Sequence, residues 1–156
     1  MSRKNRKIKR EYLPDSKYNN ILIGRFINKI MLDGKKVKAE NIVYKALELL
    51  SQKVNEGAVE AFNKVIKNVS PMMEVRSRRV GGSTYQVPVE VSTNRRYTLA
   101  IRWLVNNSRE RSGRSMVEKL SLEFVDAYNG TGSTIKQQQD THKMAEANKA
   151  FSHFRW

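Results

Sequence analysis

Residues 73–91 read MEVRSRRVGGSTYQVPVEV, and here the chain changes period. Tyr85, Val87, Val89 and Val91 alternate with other residues, the two-residue repeat of a strand, and Met73 and Val75 begin the same repeat. Between the runs lies Gly81-Gly82, a pair that accepts the positive φ values of a tight hairpin turn. Pro88 has no N–H to give to a ladder, which places its strand at an edge. The spacing predicts a two-stranded ribbon over residues 73–91. A lone ribbon is marginal in water, so it has to lean on the rest of the chain or on a partner. Its first strand carries Arg76, Arg78 and Arg79, and alternation sends Arg76 and Arg78 to one face.

Working outward, both flanks are helical. On the N-terminal side, Asp15 or Ser16 offers an N-cap, and Ile21, Leu22, Phe26, Ile27, Ile30 and Met31 recur at helical spacing. Gly34 closes that helix. Ala39, Ile42, Val43, Ala46, Leu47 and Leu50 form the stripe of a second helix, broken by Asn55-Glu56-Gly57. Val59, Phe62, Val65, Ile66 and Val69 form a third, ended by Pro71. Beyond the ribbon, Ser92 or Thr93 can cap a fourth helix with Leu99, Ala100, Ile101, Trp103, Leu104 and Val105 on its apolar side. Ser115 caps a fifth, with Val117, Leu120, Phe124 and Tyr128, which ends at Asn129-Gly130-Thr131-Gly132. A sixth, from Ser133 to about Lys149, is poor in large apolar residues and is expected on the surface. In the tail, residues 148–156, Phe151, Phe154 and Trp156 interleave with Lys149 and Arg155. Such a tail either stacks on nucleic-acid bases or packs back on the domain, and composition leaves both open. The expected fold is mainly α: six helices in one domain over 1–156, with a β-hairpin between the third and fourth.

The charge points to the kind of partner. The chain has 156 residues, with 30 Lys+Arg against 15 Asp+Glu, a net charge of +15. The excess is uneven: +9 over residues 1–38, zero over 39–69, +6 over 70–114, −2 over 115–132 and +2 over 133–156. Residues 1–10 hold six basic side chains and no acid, so residues 1–12 read as a flexible arm that orders on a partner. Two basic blocks separated by neutral and acidic ones suggest a basic face, and a polyanion as its ligand. No cysteine is present, which excludes disulfides, a catalytic thiol and thiolate metal sites, and His142 and His153 alone do not make a histidine metal site. No apolar run approaches the ~18 residues of a membrane span, and the basic N-terminus lacks the apolar segment of a secretory signal.

Enzyme chemistry finds no foothold. Gly81-Gly82-Ser83 lacks the spacing of a phosphate loop, no G-x-S-x-G elbow occurs, and no carboxylate pair invites acid–base work. The strongest geometric signal is Arg95, Arg102 and Arg109, seven residues apart and so one stripe along the fourth helix. None has an acid at i+3 or i+4, so the stripe is expected to be free for an external anion. Arm, ribbon and helix share the charge, which suits a folded RNA better than one DNA groove.

The stretch Glu74 to Val91 closely resembles the hairpin of the bacterial-type small-subunit ribosomal protein S seven family. Leu13-Pro14-Asp15, Asp33-Gly34-Lys35-Lys36, Arg95-Arg96 and Arg102-Trp103 resemble the same family, as do Met144 to Phe151, His153 and Arg155-Trp156. The resemblance implies a six-helix bundle with a hairpin arm and no cofactor. It also implies a structural constituent of the ribosome: a primary binder of the 3′ major domain of small-subunit rRNA that nucleates assembly of the subunit head. The place implied is beside exit-site tRNA and the mRNA exit path, among neighbouring small-subunit proteins, in cytoplasmic or plastid ribosomes. Repression of its own operon mRNA is the alternative role some members take. Carried over, the rRNA contacts fall on Arg3, Lys4 and Arg10 of the arm, Lys35 and Lys36, Arg76, Arg78 and Arg79, and Arg95, Arg96 and Arg102. Arg109 continues the stripe. The hairpin tip, Gly81, Gly82, Ser83, Thr84 and Tyr85, would approach exit-site tRNA. Two departures stand out. Lys136-Gln137-Gln138-Gln139 replaces a basic cluster early in the sixth helix, leaving Lys136 as the contact there, and Ser92-Thr93-Asn94 replaces an Arg-Pro lead-in.

Overall fold

Phe26, Phe62 and Phe124 come from three different helices and meet with ring centroids 5.4–5.8 Å apart, Phe62 edge to face with both others and Phe26 tilted on Phe124. All three are fully buried, and the apolar stripes converge around them. The computed structural model describes residues 12–113 and 115–154. Its elements are α1 (Ile21–Ile30), α2 (Lys36–Val54), α3 (Ala58–Val69), β1 (Met73–Val80), β2 (Ser83–Glu90), α4 (Thr93–Glu110), α5 (Met116–Tyr128) and α6 (Gly132–Ala147). A 3-10 segment, Lys149–Phe154, follows. The six helices and the hairpin between α3 and α4 are those expected. The terminal 3-10 segment is additional.

The helix ends follow local chemistry, with one correction. Asp15 does not cap α1; Asn20 does, accepting the N–H groups of Leu22 at 2.8 Å and Ile23 at 3.2 Å. Asp15, only 7% exposed, instead ties the turn before the helix, accepting N–H bonds from Lys17, Tyr18 and Asn20 and the Tyr44 hydroxyl. That turn crosses α1 at Gly24, where a Cβ would stand 2.7 Å from the Leu13 carbonyl oxygen, so only glycine fits. Asn55 closes α2 in the left-handed conformation. Ser115 caps α5 by accepting from Glu118 N–H at 3.2 Å.

The hairpin is antiparallel, its register running from Met73 opposite Glu90 to Val80 opposite Ser83. Gly81 and Gly82 make the two-residue turn with φ of +56° and +90°, the sign pattern that matches strand twist. Pro88 stands opposite Val75 in this two-stranded sheet. The ribbon leans on the C-terminal elements. Tyr85 packs on Phe151 and Phe154, with centroids 5.4 and 4.9 Å away. Met72 N–H donates to His142 Nε2 at 2.9 Å. The aromatic tail therefore packs back on the domain as far as Phe154; Arg155 and Trp156 lie outside the described residues. The expectation of a purely superficial α6 is corrected too: Thr134, Ile135 and Ala145 are buried, and the helix supports the ribbon.

Candidate nucleic-acid interface

Helix α4 buries Leu99, Ala100, Ile101, Trp103, Leu104 and Val105, which turns the Arg95–Arg102–Arg109 stripe toward its outer face. The three arginines are not equally free, and here the expectation is corrected. Arg95 donates to the buried Glu74 carboxylate at 3.3 Å, and Arg76 holds the other oxygen of the same group at 2.7 Å. Arg109 donates to the Ile30 carbonyl at 3.2 Å, placing its charge at the negative end of α1. Partners at i+3 and i+4 are visible in a sequence; partners 21 and 79 residues away are not. Arg102 alone of the three makes no hydrogen bond or ion pair with other described residues. These bonds arm the stripe at both ends without neutralising it. One carboxylate faces Arg76 and Arg95 together, and a backbone carbonyl faces Arg109.

Other expected contacts scatter more widely. Arg79 is exposed at the end of β1, and Arg78 is half-buried in the same strand. Arg96 turns away from the stripe, donating to the Val91 carbonyl at 2.8 Å and lining a cleft with Leu22, Asn63 and Lys67. Lys35 and Lys36 are exposed at the start of α2, with Asp33 and Glu40 at 3.3 and 3.7 Å. Lys136 is exposed on α6; its neighbour Gln137 accepts from Asn107 at 3.1 Å and so links α6 to α4. Gly81, Gly82, Ser83 and Thr84 form an exposed tip, whereas Tyr85 is held down by the tail. Arg3, Lys4 and Arg10 lie outside the described residues.

Two further acids, Glu123 and Asp126, meet Arg111 in another side-chain cluster. Glu123 on α5 is completely buried and accepts from Arg111 at 3.0 Å, Ser133 at 3.2 Å and Thr134 N–H at 3.2 Å, and also from the Thr134 hydroxyl. Arg111 also pairs with Asp126. Burial works against the Arg111 charge, but the Asp126 hydrogen bond and the Glu123 charge more than offset it, so its pKa is raised. Arg111, with two carboxylates on its guanidinium, is thus structural. Among the described residues no cluster of three acidic or histidine side chains could hold a metal, and no helix is long and apolar enough to cross a membrane.

The profile of the family described as ribosomal protein S7p/S5e matches residues 2–149. The chain belongs to this family. Small ribosomal subunit protein uS7 of Natranaerobius thermophilus is 58% identical over the full length of both chains. The uS7 proteins of Kosmotoga olearia and Azorhizobium caulinodans are 56% identical over 99% of each chain and 54% identical over all of both. As a member of the S7p/S5e family the chain is a structural ribosomal protein and not an enzyme. Three residues beside Arg102 escaped the sequence reading: Tyr12, Arg25 and Lys29, which line a groove with it. Arg25 and Lys29 are four residues apart on α1, a spacing that could have marked them.

Proposed function

We propose that this chain works in the cytoplasmic small ribosomal subunit of a bacterium, as a primary binder of the 3′ major domain of small-subunit rRNA. There it nucleates assembly of the head, beside exit-site tRNA, the mRNA exit path and neighbouring small-subunit proteins. The observation that carries this reading is the arginine stripe of α4. It runs from the hairpin base at Glu74 to the end of α1 at Ile30, with Arg102 exposed and unpartnered midway among the described residues. A surface of this kind follows a phosphate backbone and gives affinity without reading one sequence. The exposed glycine turn adds a tip where backbone can approach another chain closely, which supports a place beside tRNA. Crosslinking the full chain to RNA in cells, then sequencing the attached RNA, tests all parts together. Reads should concentrate in the 3′ major domain of small-subunit rRNA, with a minor share from tRNA at the hairpin tip. Reads confined to a single operon mRNA would replace this reading with that of a translational repressor.

A further inference from the structure

Helices α1 and α4 enclose a small cleft beside the stripe. Arg25, Asn28 and Lys29 face it from α1, Thr98, Ile101 and Arg102 from α4, and Tyr12 lies across it; its volume is about 240 Å³. Each helix contributes positions i, i+3 and i+4, a single face. Three features of the cleft matter together. It is built: the Arg25 guanidinium donates to the Thr98 hydroxyl at 2.8 Å and to the Asn94 carbonyl at 3.4 Å, and its centre lies 4.5 Å from the centroid of the Tyr12 ring. It is cationic: Arg25, Lys29 and Arg102 line it with no carboxylate among the lining residues, and neither Lys29 nor Arg102 is paired with another described residue. It is partly flat and apolar: Ile101 is 4% exposed beneath it, while Tyr12 keeps 57% of its surface open.

An inorganic anion would use the cations and ignore the ring. An apolar ligand would use Ile101 and the ring and leave three positive charges unanswered. A nucleotide answers all of them. Its base can stack on an aromatic ring or a guanidinium plane, its edge can meet the Asn28 amide, and its phosphates can meet Lys29 and Arg102. The volume is below the ~300–1,000 Å³ of pockets that take drug-sized ligands, so the cleft holds one base and not a run of them. We propose that the α1–α4 cleft takes a single unstacked nucleotide of the bound RNA, its base against Tyr12 and Arg25 and its phosphates on Lys29 and Arg102. The proposal rests on the rRNA-binding reading and adds to it a contact that depends on an uncharged side chain.

The test uses the full chain and a transcript of the 3′ major domain of small-subunit rRNA. The unaltered protein should prefer this transcript to a shuffled RNA of equal length; no preference would defeat the rRNA reading itself. Given that preference, Tyr12→Phe should bind as the unaltered protein does. Tyr12→Ala should bind about 5- to 150-fold more weakly, the range spanned by one base–aromatic stack. It should leave the slope of log affinity on log salt unchanged, because no charge is lost. Lys29→Ala should weaken binding and make that slope shallower by about 0.7, as for one single-stranded phosphate contact. Undiminished binding by Tyr12→Ala would overturn the cleft and leave rRNA binding standing. So would a Tyr12→Ala defect with the slope change of Lys29→Ala, since Tyr12 would then act only by aiming Arg25. Ultraviolet irradiation of the unaltered complex should attach a nucleotide to Tyr12, read by mass spectrometry of the peptide, and its absence would likewise overturn the proposal.

Discussion

Glu123 has no exposed surface, and Arg111, Ser133 and Thr134 surround its carboxyl oxygens with donors. Breaking such a pair is costly because it strands the partners in a poorly solvated place. Glu123→Ala should lower the stability of the fold by about 3 kcal/mol, read as a lower urea midpoint with an unchanged slope. Glu48→Ala, which removes the exposed Lys17–Glu48 pair, should leave the midpoint where it is. Equal midpoints for the two variants would show that the bonds to Glu123 do no more than offset the cost of burying it. The same scale shows where reading a sequence runs out. Asp15 and Asn20 are both good caps, and their types do not say which one meets the first turn of α1. Arg95 has no acid at i+3 or i+4, so only the folded chain, which brings Glu74 of β1 to the start of α4, reveals its partner. The i+3 and i+4 rule describes neighbours on one helix and is silent about contacts between elements.

Among the elements, the hairpin carries the most consequence. Its turn and its extent over residues 73–91 were legible in Gly81-Gly82 and the valine alternation, and the structure adds the register that a two-residue turn imposes. Its support was not legible. Tyr85 rests on Phe151 and Phe154, which are more than sixty positions later in the chain. A two-stranded ribbon with so little sheet of its own depends on such contacts. Replacing Phe151 and Phe154 by alanine should therefore loosen the ribbon and leave the bundle intact. Each lost ring pair is worth about 1 kcal/mol, or roughly a fivefold rise in local amide exchange through β1 and β2. Exchange rising equally in α1, α3 and α5 would mean that the tail stabilises the whole fold, and no rise in the hairpin would mean that the ring contacts contribute nothing.

For the molecule as a whole, the net charge of +15 separates into two populations. Arg111 and its two acids are spent inside the fold, whereas Arg102, Lys29 and Arg79 face outward. If on the order of ten phosphates are neutralised in the rRNA complex, log affinity should fall with log salt at a slope of roughly −7 to −9. A slope shallower than about −3 would mean that shape and stacking carry the binding in place of charge. The periods of apolar residues determined by themselves that this chain makes six helices and one hairpin, because burying a stripe requires neither more nor less than that spacing. The charge balance and the hairpin motif likewise determined the class of partner and the family. Only the tertiary structure decided which arginines are free, where the aromatic tail goes, and that Tyr12, Arg25, Lys29 and Arg102 share one cleft. Those are relations between segments far apart in the chain, and they exist only once the elements have packed.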